Sequence, residues 1–125
     1  MSFRGEPIFV VCSLGYFMNI AAISPIQLAT RLAAGDSLHL VDVRDPIEFD
    51  YCHLPSSALL PLDELPQRTD EVPTAGEVVL ICHHGVRSAQ ALGYLQSRHG
   101  RTNLLNLRGG IDAWSCEVDP SVPRY

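Results

Sequence analysis

Cys82 ends the apolar run "EVVLIC" and is followed by His83, His84, Gly85, Val86, Arg87 and Ser88. The thiolate, not the thiol, is the nucleophile, so the neighbours of such a cysteine decide its chemistry. Here they favour an anion. Arg87 supplies a fixed positive charge. A helix expected from about Ser88 points the positive end of its dipole at the loop. The backbone N–H groups of residues 83–88 have no helical partners and can converge on an anion. Gly85 permits the tight curl this requires, and Ser88 can cap the helix and turn its hydroxyl inward. Together these describe an activated nucleophile with its own anion hole. The competing reading is a buried, inert thiol at a strand end.

Spacing narrows the substrate. Four residues separate Cys82 from Arg87, one fewer than in phosphatase-type loops. The narrower cradle suits a single terminal sulfur better than a tetrahedral phosphate, and phosphate chemistry stays open as the alternative. His83 and His84 are not spaced as a chelating pair. They are expected to be exposed donors that tune the choice of acceptor. Because histidine gains charge just below neutral pH, activity is expected to rise there.

Alternating strands and helices must position this loop. "NIAAIS", "LHLVDV", "ALLPL", "EVVLIC" and "NLLNL" read as strands, with "EVVLIC" the most apolar and central. "SPIQLATRLAAG" reads as a helix with Ser24 as N-cap, Pro25 in the first turn and Gly35 past its end; Ile26, Leu28, Ala29 and Leu32 are expected inward. One helical turn is expected at Pro46–Phe49, a brief helix interrupted by Pro66 at "LDELPQR", and further helices at "SAQALGYLQSRHG" and "IDAWSCE". "VDPSVPRY" reads as an extended tail. The pattern predicts an α/β fold with an open, mostly parallel sheet covered on both faces. In such sheets ligands sit beyond the carboxyl ends of the strands, which is where Cys82 falls.

Composition bounds the rest. The chain has 125 residues, 46% of them hydrophobic, which suits one domain with one core. Its net charge of −5 speaks against nucleic acid as a partner. The charge is unevenly placed, with ten acids and two arginines from Asp36 to Glu77, but four arginines and one acid from Val78 to Trp114. The second stretch holds the cysteine loop and could draw a small anion. Cys12, Cys52, Cys82 and Cys116 form no close pair, so a structural zinc site and a disulfide scaffold are not expected. Isolated cysteines suit a reducing compartment, and a cytoplasmic protein is expected. Residues 1–17 read as an extra apolar segment ahead of a domain over 18–125. As a helix, residues 8–23 would fall short of a bilayer's hydrocarbon core, so a membrane role is not favoured; a tether through these residues is the alternative.

"VDVRDPIEFDYCHLPSSALLPLDEL", "ICHHGVRSAQALGYL" and "NLRGGIDAW" together resemble a single-domain rhodanese, a thiosulfate or persulfide sulfurtransferase, from about Ile20 to Trp114. The resemblance implies a three-layer sandwich with a central parallel sheet flanked by helices. It implies that Cys82 takes the outer sulfur of a small anionic donor such as thiosulfate and becomes a persulfide. The amides of residues 83–88 would hold the charge, and Arg87 would bind the donor or hold the loop. A thiol or cyanide then removes the sulfur, without metal or organic cofactor. Asp42 and Arg44 match the family's strand end and would border the pocket or form a buried ion pair there. His53 is expected to bond backbone beside the loop, Gly109 and Gly110 to turn the chain, and Trp114 to lie in the core. Cys52 and Ser56 stand where the family has glycines, which puts the path of that segment in question. A Cys52–Cys82 disulfide is one possibility this opens. The tail resembles the end of rhodanese domains fused behind adenylating enzymes that serve sulfur-carrier proteins, which makes such a carrier a candidate acceptor. The alternatives are a non-catalytic rhodanese-type binding module and a phosphatase or arsenate reductase on the same fold.

Overall fold

The computed structural model of the chain describes residues 6–11 and 17–125. Cys12 and most of the segment assigned to residues 1–17 lie outside the described residues. The strands are β1 (Glu6–Val11), β2 (Phe17–Ile23), β3 (Leu38–Asp42), β4 (Ser57–Leu59), β5 (Glu77–Ile81) and β6 (Leu104–Leu107). The helices are α1 (Pro25–Ala33), α2 (Pro46–Tyr51), α3 (Leu65–Arg68), α4 (Val86–His99) and α5 (Gly110–Glu117).

The six strands form one sheet in the order β1-β2-β6-β5-β3-β4. From β2 to β4 all pairings are parallel. This is the expected arrangement, with the apolar β5 between β6 and β3. Strand β1 was not foreseen. It pairs antiparallel with β2, Glu6 opposite Ala22 and Val11 opposite Phe17. The helix weighed for residues 8–23 does not form; residues 8–11 and 17–23 are strand. Among the described residues no helix is long and apolar enough to cross a membrane.

Alternation along the strands divides the core in two. Val78, Leu80 and Cys82 face Ala91, Leu92 and Leu95 of α4, with Leu65 and Val72 beside them. Val79 and Ile81 face the other way, toward Leu28 of α1 and Ile111 and Trp114 of α5. Helices thus cover both faces, giving the three-layer α/β sandwich.

Local chemistry explains the elements and three departures. In α1, Ser24 Oγ accepts from Gln27 N at 3.1 Å while Gln27 Oε1 accepts from Ser24 N at 2.9 Å, a reciprocal cap. The buried face of α1 is Pro25, Leu28 and Arg31, however; Ile26 and Leu32 are exposed. Arg31 takes the inward place because Asp36 and Glu77 receive its guanidinium at 2.9 and 2.6 Å. Pro66 does not interrupt a helix. It sits in the first turn of α3, where a missing N–H costs nothing. Helix α2 runs to Tyr51, past the single turn expected.

Candidate functional site

The site lies at the carboxyl end of β5. Cys82 is fully buried, and its Sγ accepts from Gly85 N at 3.0 Å. Gly85 has φ +96° and caps α4, so the chain doubles back to aim this amide at the sulfur. Ser88 does not cap the helix. It lies in the first turn of α4, buried, with Oγ 3.2 Å from Cys82 Sγ and 2.5 Å from Oδ1 of Asn106 in β6. Asn106 Nδ2 donates to Gly85 O at 3.3 Å. Val86 is exposed at the start of α4.

The loop is pinned from below by the turn between β6 and α5. Ile111 N donates to Cys82 O at 2.8 Å, and Asp112 N donates to His83 O at 3.1 Å. This approach demands glycine. Gly110 has φ +63°, and a Cβ there would collide with the carbonyl oxygens of Cys82 and His83. Gly110 therefore does more than turn the chain; it lets α5 dock on the loop, whereas a Cβ at Gly109 would meet Ala113 within α5. Trp114 lies in the core beneath, as expected.

The second wall comes from β3, α2 and the C-terminal residues. Asp42 and Arg44 are both fully buried and paired, Arg44 Nη2 to Asp42 Oδ2 at 2.7 Å and Nε to Oδ1 at 2.9 Å. Arg44 also donates to Cys52 O at 2.6 Å and to the Tyr125 hydroxyl at 2.8 Å. Burial opposes its charge, but Asp42 and the Tyr125 hydroxyl outweigh that and hold it above the ordinary arginine range. Tyr125 in turn donates to Glu48 Oε2 at 2.7 Å, and its ring stacks on His83 at 3.9 Å. Burial, with Glu48 assisting against Arg44, pushes the phenol up to about 12, so it keeps its proton.

Glu48 is the hinge of this wall. Its two oxygens take Arg87 Nη1 and Nη2 at 2.6 and 2.9 Å. The Arg87 fork, helped by Tyr125 and opposed by burial, brings the Glu48 carboxyl down to about 2. Of the two roles weighed for Arg87, this geometry serves the second, holding the loop. Nor is Arg101 free to attract an anion: it donates to the carbonyls of Thr69 and Val72 at 3.0 and 2.8 Å.

The histidines differ from one another. His84 is exposed, with Nδ1 3.8 Å from Asp112 Oδ2. His83 is not an exposed donor; it is half-buried between Tyr125 and His84. Burial, then the neighbouring His84, lower its pKa, against smaller opposing effects of Asp112 and Glu48. His53 bonds Phe49 O at 2.8 Å and stacks on the Phe49 ring at 3.8 Å. It bonds backbone as expected, but within its own helix end rather than on the loop.

The two glycine replacements have separate outcomes. Cys52 has φ −163°, extended backbone that any residue adopts. Ser56 has φ +65°, the left-handed conformation kept without a glycine. Cys52 Sγ lies 3.8 Å from Pro123 O and packs with the α1–α5 layer, whereas Cys82 packs with the α4 layer. The sheet separates them, so the Cys52–Cys82 disulfide is not supported.

Glu48, Asn106 and Tyr125 went unrecognised in the sequence. Asn106 carried a signal, as the one polar residue inside the strand "LLNL". Tyr125 ended a tail already singled out. Glu48 sat in a turn-rich stretch that gave its partner no address.

Residues 24–117 match the rhodanese-like domain family. A sulfurtransferase of Allochromatium vinosum is 44% identical over 97 residues, covering 77% of this chain and 89% of that one. The probable adenylyltransferase/sulfurtransferase MoeZ of Mycobacterium tuberculosis is 36% identical over 107 residues, 84% of this chain but only 27% of the longer protein. Among solved structures, a rhodanese-related protein of Thermoplasma volcanium is similar with a TM-score of 0.69 at 28% identity, covering 78% of this chain and 92% of that one. Fold, loop and sequence likeness agree: the chain belongs to the rhodanese-like domain family.

Proposed function

We propose that the protein is a sulfurtransferase that carries a sulfane sulfur as a Cys82 persulfide. The Cys82 thiolate attacks the outer sulfur of a donor. With thiosulfate, the new Sγ–S bond forms as the donor's S–S bond breaks, and sulfite leaves with the electron pair. The persulfide retains the single negative charge. A thiol or cyanide then attacks the outer sulfur and regenerates the thiolate, with thiocyanate as the product in the cyanide case. This is a double displacement through a covalent intermediate.

The observation that carries the reading is the Gly85 amide aimed at Cys82 Sγ from 3.0 Å, at the carboxyl end of the central strand. A buried sulfur that becomes anionic needs such a fixed donor. Arg87 gives both terminal nitrogens to Glu48 and offers no open fork to a phosphate ester, which weighs against the phosphatase alternative. A sulfur-carrier protein is the candidate acceptor: the longer relative's name joins a sulfurtransferase to an adenylyltransferase, the pairing that the resemblance of the tail "VDPSVPRY" implies.

Incubation with thiosulfate followed by intact mass tests the reading. Wild type should gain one sulfur atom, cyanide should remove it, and Cys82→Ser should gain none. The second reading, a non-catalytic binding module, draws on the complete burial of Cys82. No gain from thiosulfate or from a persulfide donor, with Cys82 unreactive toward iodoacetamide, would establish it instead.

A further inference from the structure

Asn106 is buried in β6 and its amide can face only one way. Gly85 O accepts and cannot donate, so Nδ2 faces it and Oδ1 faces Ser88 Oγ at 2.5 Å. A carboxamide oxygen only accepts. Ser88 must therefore give its single hydroxyl proton to Asn106. The same Oγ lies 3.2 Å from Cys82 Sγ, and one proton cannot serve both.

With Cys82 as a thiol there is no conflict. Its S–H donates to Ser88 Oγ, Ser88 donates to Asn106, and every group is paired. When a solvent base takes the thiol proton, the thiolate faces an oxygen whose proton is engaged elsewhere. If the hydroxyl turns to the sulfur, Asn106 Oδ1 is left buried and unpaired, which is costly. Loading with sulfur removes the conflict, because the charge moves to the outer sulfur and the hydroxyl can return to Asn106.

We propose that Asn106 is a positioning residue that withholds the Ser88 proton from the Cys82 sulfur, so that the site favours an uncharged Sγ over the bare thiolate. The persulfide part rests on the sulfur-carrier reading; the thiol part is a property of the three side chains alone.

The test is alkylation of Cys82 by iodoacetamide in the full chain at one neutral pH, with no sulfur donor, read on the Cys82 peptide by mass spectrometry. Asn106→Ala releases the hydroxyl to the sulfur. About tenfold more thiolate, each about threefold less nucleophilic, should raise the rate about threefold. Asn106→Leu, close to the same volume, likewise leaves the hydroxyl no amide oxygen to bond and should raise the rate about threefold as well. In a Ser88→Ala background, adding Asn106→Ala should change nothing. Equal rates in wild type and both Asn106 variants would overturn the proposal, as would an Asn106→Ala effect that survives without Ser88. If Asn106→Ala does not fold, Asn106→Leu alone decides: a rise that disappears in the Ser88→Ala background supports the proposal, and no rise overturns it. The expected order of alkylation rates without any sulfur loading would overturn the sulfur-carrier reading while leaving this proton arrangement standing.

Discussion

Glu48 grips Arg87 with both carboxylate oxygens, at 2.6 and 2.9 Å, across 39 residues of sequence. The pair ties the end of the cysteine loop to α2. It also neutralises the charge that, on sequence alone, reads as the site's anion attractor. The Gly85 amide, aimed at the sulfur by the curl of the loop, is left with that task.

Glu48→Gln should therefore loosen the loop. Losing one partner of a half-buried bidentate pair is expected to cost about 2 kcal/mol, measured by urea unfolding. Sulfur loading of Cys82 should slow in the same variant. The pair also sets an acid limit. The Glu48 carboxyl falls from 4.5 to about 2 on folding, so the unfolded chain binds its proton first as pH drops. The stability it contributes is full above about 4.5 and is lost as pH falls from there to about 2. Glu48→Gln should flatten the stability curve across that window; an unchanged slope would show that other carboxylates govern it.

Gly110→Ala should be among the most damaging single changes. Its Cβ would meet two loop carbonyls, and its φ of +63° disfavours a side chain. A loss of about 2–4 kcal/mol is expected. A folded Gly110→Ala protein with normal Cys82 loading would mean that α5 need not dock so closely.

Ser56→Gly should act in the opposite direction. Ser56 holds φ +65°, a conformation costing an L-residue about 1–2 kcal/mol. Greater unfolded-chain freedom of glycine offsets part of the relief. The net expectation is a gain of about 0.5–1 kcal/mol, seen as a raised urea midpoint with unchanged slope.

Tyr125→Phe keeps the ring on His83 but removes the hydroxyl shared by Arg44 and Glu48. Arg44 Nη1 then loses its partner in a buried setting. A cost of about 1–2 kcal/mol is expected. Glu48→Gln combined with Tyr125→Phe should cost less than the two separate losses added together, because both act through one network.

Most of the fold was legible in the sequence because β3, β5 and β6 are apolar runs that only a sheet covered on both faces can bury. The Cys82 loop was legible because its chemistry is contiguous. Pairing across distant segments was not. Nothing local marks Glu48 as the partner of Arg87, or Asn106 as the neighbour of Ser88. Helix α1 misled for a different reason: Ile26 and Leu32 obey the apolar period, but Asp36 and Glu77 give Arg31 a reason to occupy the inward place. Strand β1 was hidden in a stretch too uniformly apolar to show alternation.

The division of the core into two layers has a consequence for the cargo. Cys82 packs on the α4 side of the sheet, while Cys52 packs into the α1–α5 layer and Cys116 is exposed on α5. The sheet stands between them as a bulkhead. On the proposed reading, a sulfur carried by Cys82 lies across the sheet from these two thiols. That reading leaves the cargo quarantined from both, to be collected by a nucleophile from another molecule.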